Sequence, residues 1–179
     1  MSQLFWGLAP FERAAALLDY EPHSEVARLI YQLKYADQPD IGEDMGRLMA
    51  NEMQLAGYFD GIDLLVPVPL SRKRLRQRGY NQSERLAEGV SQITGLPVES
   101  GLLYRRHFKQ SQTTLNRQKR QENVADMFYV RHAERAVGRH ILLIDDICTT
   151  GATLTACAEA LKGIEGIRMS ALTLGITKK

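Results

Sequence analysis

The chain has 179 residues, 44% hydrophobic and 25% charged, and its 23 basic and 21 acidic side chains leave a net charge of +2. Such a composition belongs to a soluble globular protein of about one domain with a real core. Two cysteines, Cys148 and Cys157, exclude a disulfide scaffold, and without a Cys-x-x-Cys pair or ligand-spaced histidines no zinc site is expected.

The N-terminus, MSQLFWGLAPFERAA, has no basic start and Glu12 interrupts its apolar part, so no signal peptide is expected. No apolar run approaches the ~18 residues of a membrane span, and the expected address is the cytoplasm of a reducing cell. Residues 1–60 read as a helical segment packed on a core formed by 61–179, with Phe5, Trp6 and Phe11 as anchors. Ser24 can cap a helix that carries Val26, Leu29, Ile30 and Leu33 on one face. A second helix over about 41–55 places Met45, Leu48, Met49 and Met53 together, with Pro39 before it and Gly57 after it.

The texture then changes. Asp63–Pro69 reads as a strand end bounded by prolines, followed by a loop from Leu70. This loop carries five cations: Arg72, Lys73, Arg74, Arg76 and Arg78. A helix over about 81–93 is closed by Gly95, and Pro97–Leu103 has strand character. Residues 105–125 are polar and aperiodic, and read as a long loop of the kind usually reserved for function. A short strand at 127–130 and a buried strand at His140–Ile144 follow. The C-terminal part supplies a helix over about 153–162 and a strand over 168–175. Strands alternating with helices predict an α/β fold with a mostly parallel sheet flanked by helices.

Charge is unevenly spread. Arg72–Arg78 and the run Arg105, Arg106, Lys109, Arg117, Lys119, Arg120 contain no acid, leaving the rest of the chain net acidic. Segregation of this kind suits a local anion site, a polynucleotide surface or a solvated face.

The segment ILLIDDICTTGAT, Ile141 to Thr153, carries the most chemistry. Four apolar residues build a central strand, and Asp145 and Asp146 follow at its carboxyl end, where open α/β sheets bind ligands. Thr149, Thr150, Gly151, Ala152 and Thr153 then lead into a helix whose free N–H groups can cradle a phosphate. Two acids beside a phosphate loop make sense if the ligand joins a phosphate to a sugar. The acids then accept bonds from ribose hydroxyls, directly or through a metal.

This segment matches the ribose-5-phosphate signature of type I phosphoribosyltransferases. VPVPLSRKRLRQRGYNQSERLA (66–87), RRHFKQSQTTLNRQKRQENVADMF (105–128) and LIYQLKYADQ (29–38) extend the likeness. In that order they resemble the ComF/GntX family of competence-related, phosphoribosyltransferase-like proteins. The resemblance implies binding of 5-phosphoribosyl 1-diphosphate (PRPP) or a ribose 5-phosphate-containing nucleotide. It implies pyrophosphate contacts from Arg72, Lys73 and Arg78, and a flexible substrate loop with Lys109, Gln112, Thr113, Arg120 and Asn123. It also implies Mg²⁺ carried through the ligand, with Asp145 and Asp146 as further contacts. Competence-related partners would be single-stranded DNA and a DNA-uptake helicase. The family's common four-cysteine zinc module has no counterpart here. Thr149 stands where purine-salvage enzymes often carry an aspartate, which argues against hypoxanthine or guanine as acceptor. A phosphoribosyltransferase, a non-catalytic PRPP-binding accessory of DNA uptake and a nucleic-acid protein using its basic face all remain open on sequence.

Overall fold

The structure, a computed structural model, describes residues 10–35, 39–106 and 127–177. Among the described residues six strands appear: β1 (Phe11–Tyr20), β2 (Leu64–Pro67), β3 (Leu103–Arg105), β4 (Phe128–Val130), β5 (His140–Cys148) and β6 (Arg168–Thr177). The helices are α1 (Glu25–Tyr35), α2 (Pro39–Gln54), α3 (Arg72–Arg78), α4 (Gln82–Thr94) and α5 (Ala152–Leu161). Four strands form one parallel sheet in the order β1-β6-β5-β2, while β3 and β4 make a separate antiparallel pair.

The two central strands are almost wholly buried, as expected for parallel strands covered on both faces. Alternation along β5 divides the core in two. Ile141 and Leu143 join Leu154, Cys157 and Leu161 of α5, together with Leu103 and Phe128 of the β3–β4 pair. Leu142 and Ile144 face the other way, towards Leu33 of α1, Met49 of α2, and Leu86 and Val90 of α4. The sheet is thus the middle layer of an α/β architecture. Both cysteines are free and buried within it.

Three expectations need correction. Residues 11–20 are not helical: they form β1, which runs parallel to β6 from Phe11–Met169 to Tyr20–Thr177. A short apolar run such as Ala14–Leu18 looks alike in a buried helix and in a parallel strand, and pairing with β6 overrides the helix propensity of alanine and leucine. The basic stretch is a helix rather than a loop. Ser71 caps α3 by accepting the Arg74 N–H, and left-handed Gly79 closes it with its N–H on Leu75 O. Those caps offset like charges four residues apart at Arg72/Arg76 and Arg74/Arg78. Residues 97–103 contribute only one bridge, Val98 to Leu65, and the strand begins at Leu103. Phe5 and Trp6 lie outside the described residues.

The helix layer has one unusually close approach. A Cβ on Gly46 of α2 would come within 2.1 Å of Leu86 O, and one on Gly89 of α4 within 2.1 Å of Glu43 O. Glycine lets the two backbones touch, which sets where the first turn of α4 meets the end of β5.

Candidate ligand site at the end of the central strand

Asp145 and Asp146 lie within β5, which continues to Cys148 instead of ending at Ile144. They are only 8% and 4% exposed. Buried carboxylates need donors, and α4 supplies them. Ser83 Oγ donates to Asp145 Oδ1 at 3.0 Å, and the Asp146 N–H donates to the same oxygen at 2.9 Å. Gln82 Nε2 donates to Asp146 Oδ2 at 2.9 Å, and the Lys34 ammonium of α1 meets that oxygen at 2.9 Å. Burial, and next the neighbouring Asp146 charge, push the Asp145 carboxyl above the usual carboxylate range, against the lowering effect of its donors and Lys34. Gln82 makes its bond while its own Oε1 is buried with no hydrogen-bond partner among the described residues. Such an acceptor costs about 1–3 kcal/mol. The arrangement therefore favours a polar, acidic strand end over maximal stability.

The motif RGYNQS explains how these groups converge. Gly79, at φ 78°, turns the chain out of α3. The buried Tyr80 hydroxyl donates to Leu33 O at 2.6 Å, anchoring the last turn of α1 immediately before Lys34. Asn81 caps α4 by accepting the Ser83 N–H, and its Nδ2 donates to Val68 O at 3.1 Å. Gln82 and Ser83 then sit in the first turn of α4, facing the acids. Sequence reading missed Lys34, Tyr80, Gln82 and Ser83 as site residues. The only available signal was their place inside the two quoted motifs.

Beyond Cys148, Gly151 takes φ 78° and opens α5. Thr150 Oγ1 accepts the Ala152 N–H at 3.4 Å, and Thr177 Oγ1 donates to Thr149 O at 3.1 Å, tying the loop to the end of β6. Asp145 and residues 147–154 line a 30 Å³ hollow here. The structure thus brings Thr149, Thr150, Gly151, Ala152 and Thr153 together with Asp145. An anion in the hollow would meet the first turn of α5 and its positive end.

A larger groove of about 580 Å³ opens beside the end of β2. Its walls include Leu70, Arg72 and Leu75 on one side and Tyr104, Arg105, Arg106, Tyr129 and Arg131 on the other. Tyr104 and Tyr129 stack with ring centroids 5.6 Å apart. The Arg131 guanidinium lies 4.4 Å above Tyr104 and 5.4 Å from Tyr129. Burial, and then the neighbouring Arg74 charge, push the Arg105 guanidinium below its ordinary value. Of the three cations assigned to pyrophosphate, Arg72 lines this groove; Lys73 and Arg78 do not. Lys73 is exposed on α3, and Arg78 is half-buried at its far end. Lys109, Gln112, Thr113, Arg120 and Asn123 lie outside the described residues.

Among the described residues, no helix is long and apolar enough to cross a membrane. No family model matches the chain. It is 30% identical over 155 residues to the DNA utilization protein YhgH of Escherichia coli K12, covering 85% of this chain and 66% of that protein. Competence protein F of Haemophilus influenzae is 28% identical over 147 residues, which cover 79% of this chain and 64% of the relative. Competence protein ComFC of Bacillus subtilis is 36% identical over 104 residues, covering 58% of this chain and 40% of the relative. The chain thus spans just under two thirds of its first relatives. Among solved structures, an allosteric regulatory enzyme of purine biosynthesis superposes with a TM-score of 0.53 at 19% identity, over 79% of this chain and 30% of that one. The glutamine PRPP amidotransferase of B. subtilis superposes with a TM-score of 0.51 at 17% identity, over the same shares. At such identities the structural likeness is one of fold. Sequence kinship and fold together make this chain a ComF-like protein built on the type I phosphoribosyltransferase fold.

Proposed function

We propose that the chain binds PRPP across the carboxyl end of its sheet and transfers the phosphoribosyl group to an acceptor, releasing pyrophosphate. The observation that carries this reading is the buried acid pair in the last residues of β5, separated by Ile147 and Cys148 from the hydroxyl-rich loop that opens α5. The loop N–H groups and the hydroxyls of Thr149, Thr150 and Thr153 take the 5-phosphate. Asp145 and Asp146 accept bonds from the ribose hydroxyls. Arg72 contacts the diphosphate and stabilises charge that grows as the bond from ribose C1 to the leaving oxygen breaks. Such catalysis is positional and electrostatic.

The acid pair does not suit direct metal coordination. Asp146 Oδ2 already holds an ammonium and an amide, which compete with an ion for that oxygen. Mg²⁺ therefore belongs to this reading as an ion carried by the ligand, where it would neutralise the diphosphate. The test is calorimetric titration of PRPP with Mg²⁺, followed by a pyrophosphate-release assay across acceptors. Saturable binding and acceptor-dependent release are expected. Binding without release from any acceptor would reduce the protein to a PRPP-binding module, and no binding would refute the reading.

A second reading is favoured by the Tyr104–Tyr129 stack and its arginines. Bases stack on tyrosines and phosphates pair with arginines where proteins track single strands. The names of the relatives, DNA utilization and competence proteins, suit a cytoplasmic accessory that handles single-stranded DNA beside an uptake helicase. Binding of a fluorescent oligonucleotide, with affinity that falls steeply with salt, is its test.

A further inference from the structure

The helical lead-in LIYQLKYADQ has no part in the reading above, yet it delivers a cation to the acid pair. Lys34 Nζ lies 2.9 Å from Asp146 Oδ2, with the two side chains 20% and 6% exposed. Its placement is built rather than incidental. Leu33 is fully buried in the core, and its carbonyl accepts the Tyr80 hydroxyl, so the last turn of α1 is held at both side chain and backbone. Gln82 Nε2 shares the same carboxylate oxygen, so an ammonium and an amide converge on Oδ2 of Asp146. Exposed lysine ion pairs are weak and interchangeable; one held against a 4%-exposed aspartate beside a second buried acid is not.

We infer that Lys34 is a positioning residue of the ligand site, the resident cation of the acid pair, which fixes Asp146 to receive a ribose hydroxyl and occupies the place a divalent metal would otherwise take. The inference rests on the ribose reading for its ligand and on geometry alone for its cation. It explains how two adjacent buried carboxylates can serve a sugar without recruiting their own metal: Lys34 supplies the compensating charge at Oδ2 of Asp146.

The test uses Mn²⁺ alone, followed by electron paramagnetic resonance, on the full chain. Lys34→Met should bind Mn²⁺ at least about tenfold more tightly than the unaltered protein, because a carboxylate loses its neighbouring cation. Adding Asp146→Asn to Lys34→Met should remove the gain, and Lys34→Arg should behave like the parent. In parallel, metal-free titration with ribose 5-phosphate should show a loss of about tenfold in Lys34→Met, rescued by Lys34→Arg. If Lys34→Met fails to fold by circular dichroism, Lys34→Gln carries the same expectations. Mn²⁺ affinity unchanged by loss of Lys34, or tight Mn²⁺ binding by the parent that Asp146→Asn abolishes, overturns the inference. If the parent itself does not bind ribose 5-phosphate, the ribose reading falls, and with it the ligand role given to Lys34. The Mn²⁺ arm still decides whether Lys34 is the resident cation.

Discussion

Replacing both acids, Asp145→Asn with Asp146→Asn, separates a ligand role from a structural one. Each asparagine keeps the shape and one acceptor oxygen but loses the charge. Within the fold, Asp145 gives up a carboxylate that burial and Asp146 already disfavour. Asp146 loses its ion pair with Lys34, whose side chain is 20% exposed and can turn towards water. Relief of like-charge repulsion opposes the weakened bonds to Ser83 and Gln82, so the net stability change should stay within about 1–2 kcal/mol. The ligand has no such compensation. At pH 8, above the raised Asp145 value, two hydroxyl bonds to ionised acceptors become bonds to neutral amides, and a charge-assisted bond exceeds a neutral one by roughly 1 kcal/mol. A loss of about 2 kcal/mol, or about thirtyfold in PRPP affinity, is expected. Calorimetric titration with PRPP and Mg²⁺, beside urea denaturation of the same samples, measures both quantities. A folded double variant that binds PRPP within threefold of the parent would refute the assignment of these acids to ribose.

Gly151→Val should abolish ribose 5-phosphate binding, since φ 78° is a conformation valine resists; normal binding by that variant would remove the loop as phosphate cradle. Arg72→Ala should weaken PRPP binding about tenfold. Arg74→Ala with Arg76→Ala should spare PRPP yet lower single-stranded DNA affinity and flatten its salt slope by up to about two contacts, and identical effects of the two sets on PRPP would show a diffuse field only. Gly89→Ala should destabilise the protein by about 1–3 kcal/mol in urea, because its Cβ would stand 2.1 Å from Glu43 O and force α2 and α4 apart. Asp145 has a raised folded-state pKa, so the folded chain holds its proton more tightly than the unfolded chain, and this group's contribution weakens as pH rises from the ordinary carboxylate range through the raised value. Asp145→Asn should thus gain stability relative to the parent at pH 8 compared with pH 5, a difference that denaturation at both values would detect.

Local chemistry was legible where it is self-contained. The run Ile141–Ile144 needs no partner to read as a buried strand, and Asn81 and Gly95 bound α4 as their side-chain and backbone preferences require. The threonine-glycine loop announces a helix N-terminus because left-handed backbone at Gly151 is cheap only for glycine. Ser71 and Gly79 announce α3 in the same way, although five cations within seven residues also suit a loop.

What the sequence by itself determined was therefore the elements with strong local signals, and the chemistry of the strand–loop–helix that carries Asp145, Asp146 and Thr149–Thr153. Tertiary structure decided the rest. Phe11–Tyr20 became an edge strand only because β6 offered it a backbone ladder. Gln82 reaches Asp146 across 64 positions because Gly46 and Gly89 let two helices touch, and Lys34 arrives beside them because Tyr80 pins α1. The physical reason is one of range. Caps, turns and apolar periodicity act over a few residues and are written in order along the chain. The partners of a buried charge are selected by packing, which brings together side chains whose separation in sequence carries no information about their contact.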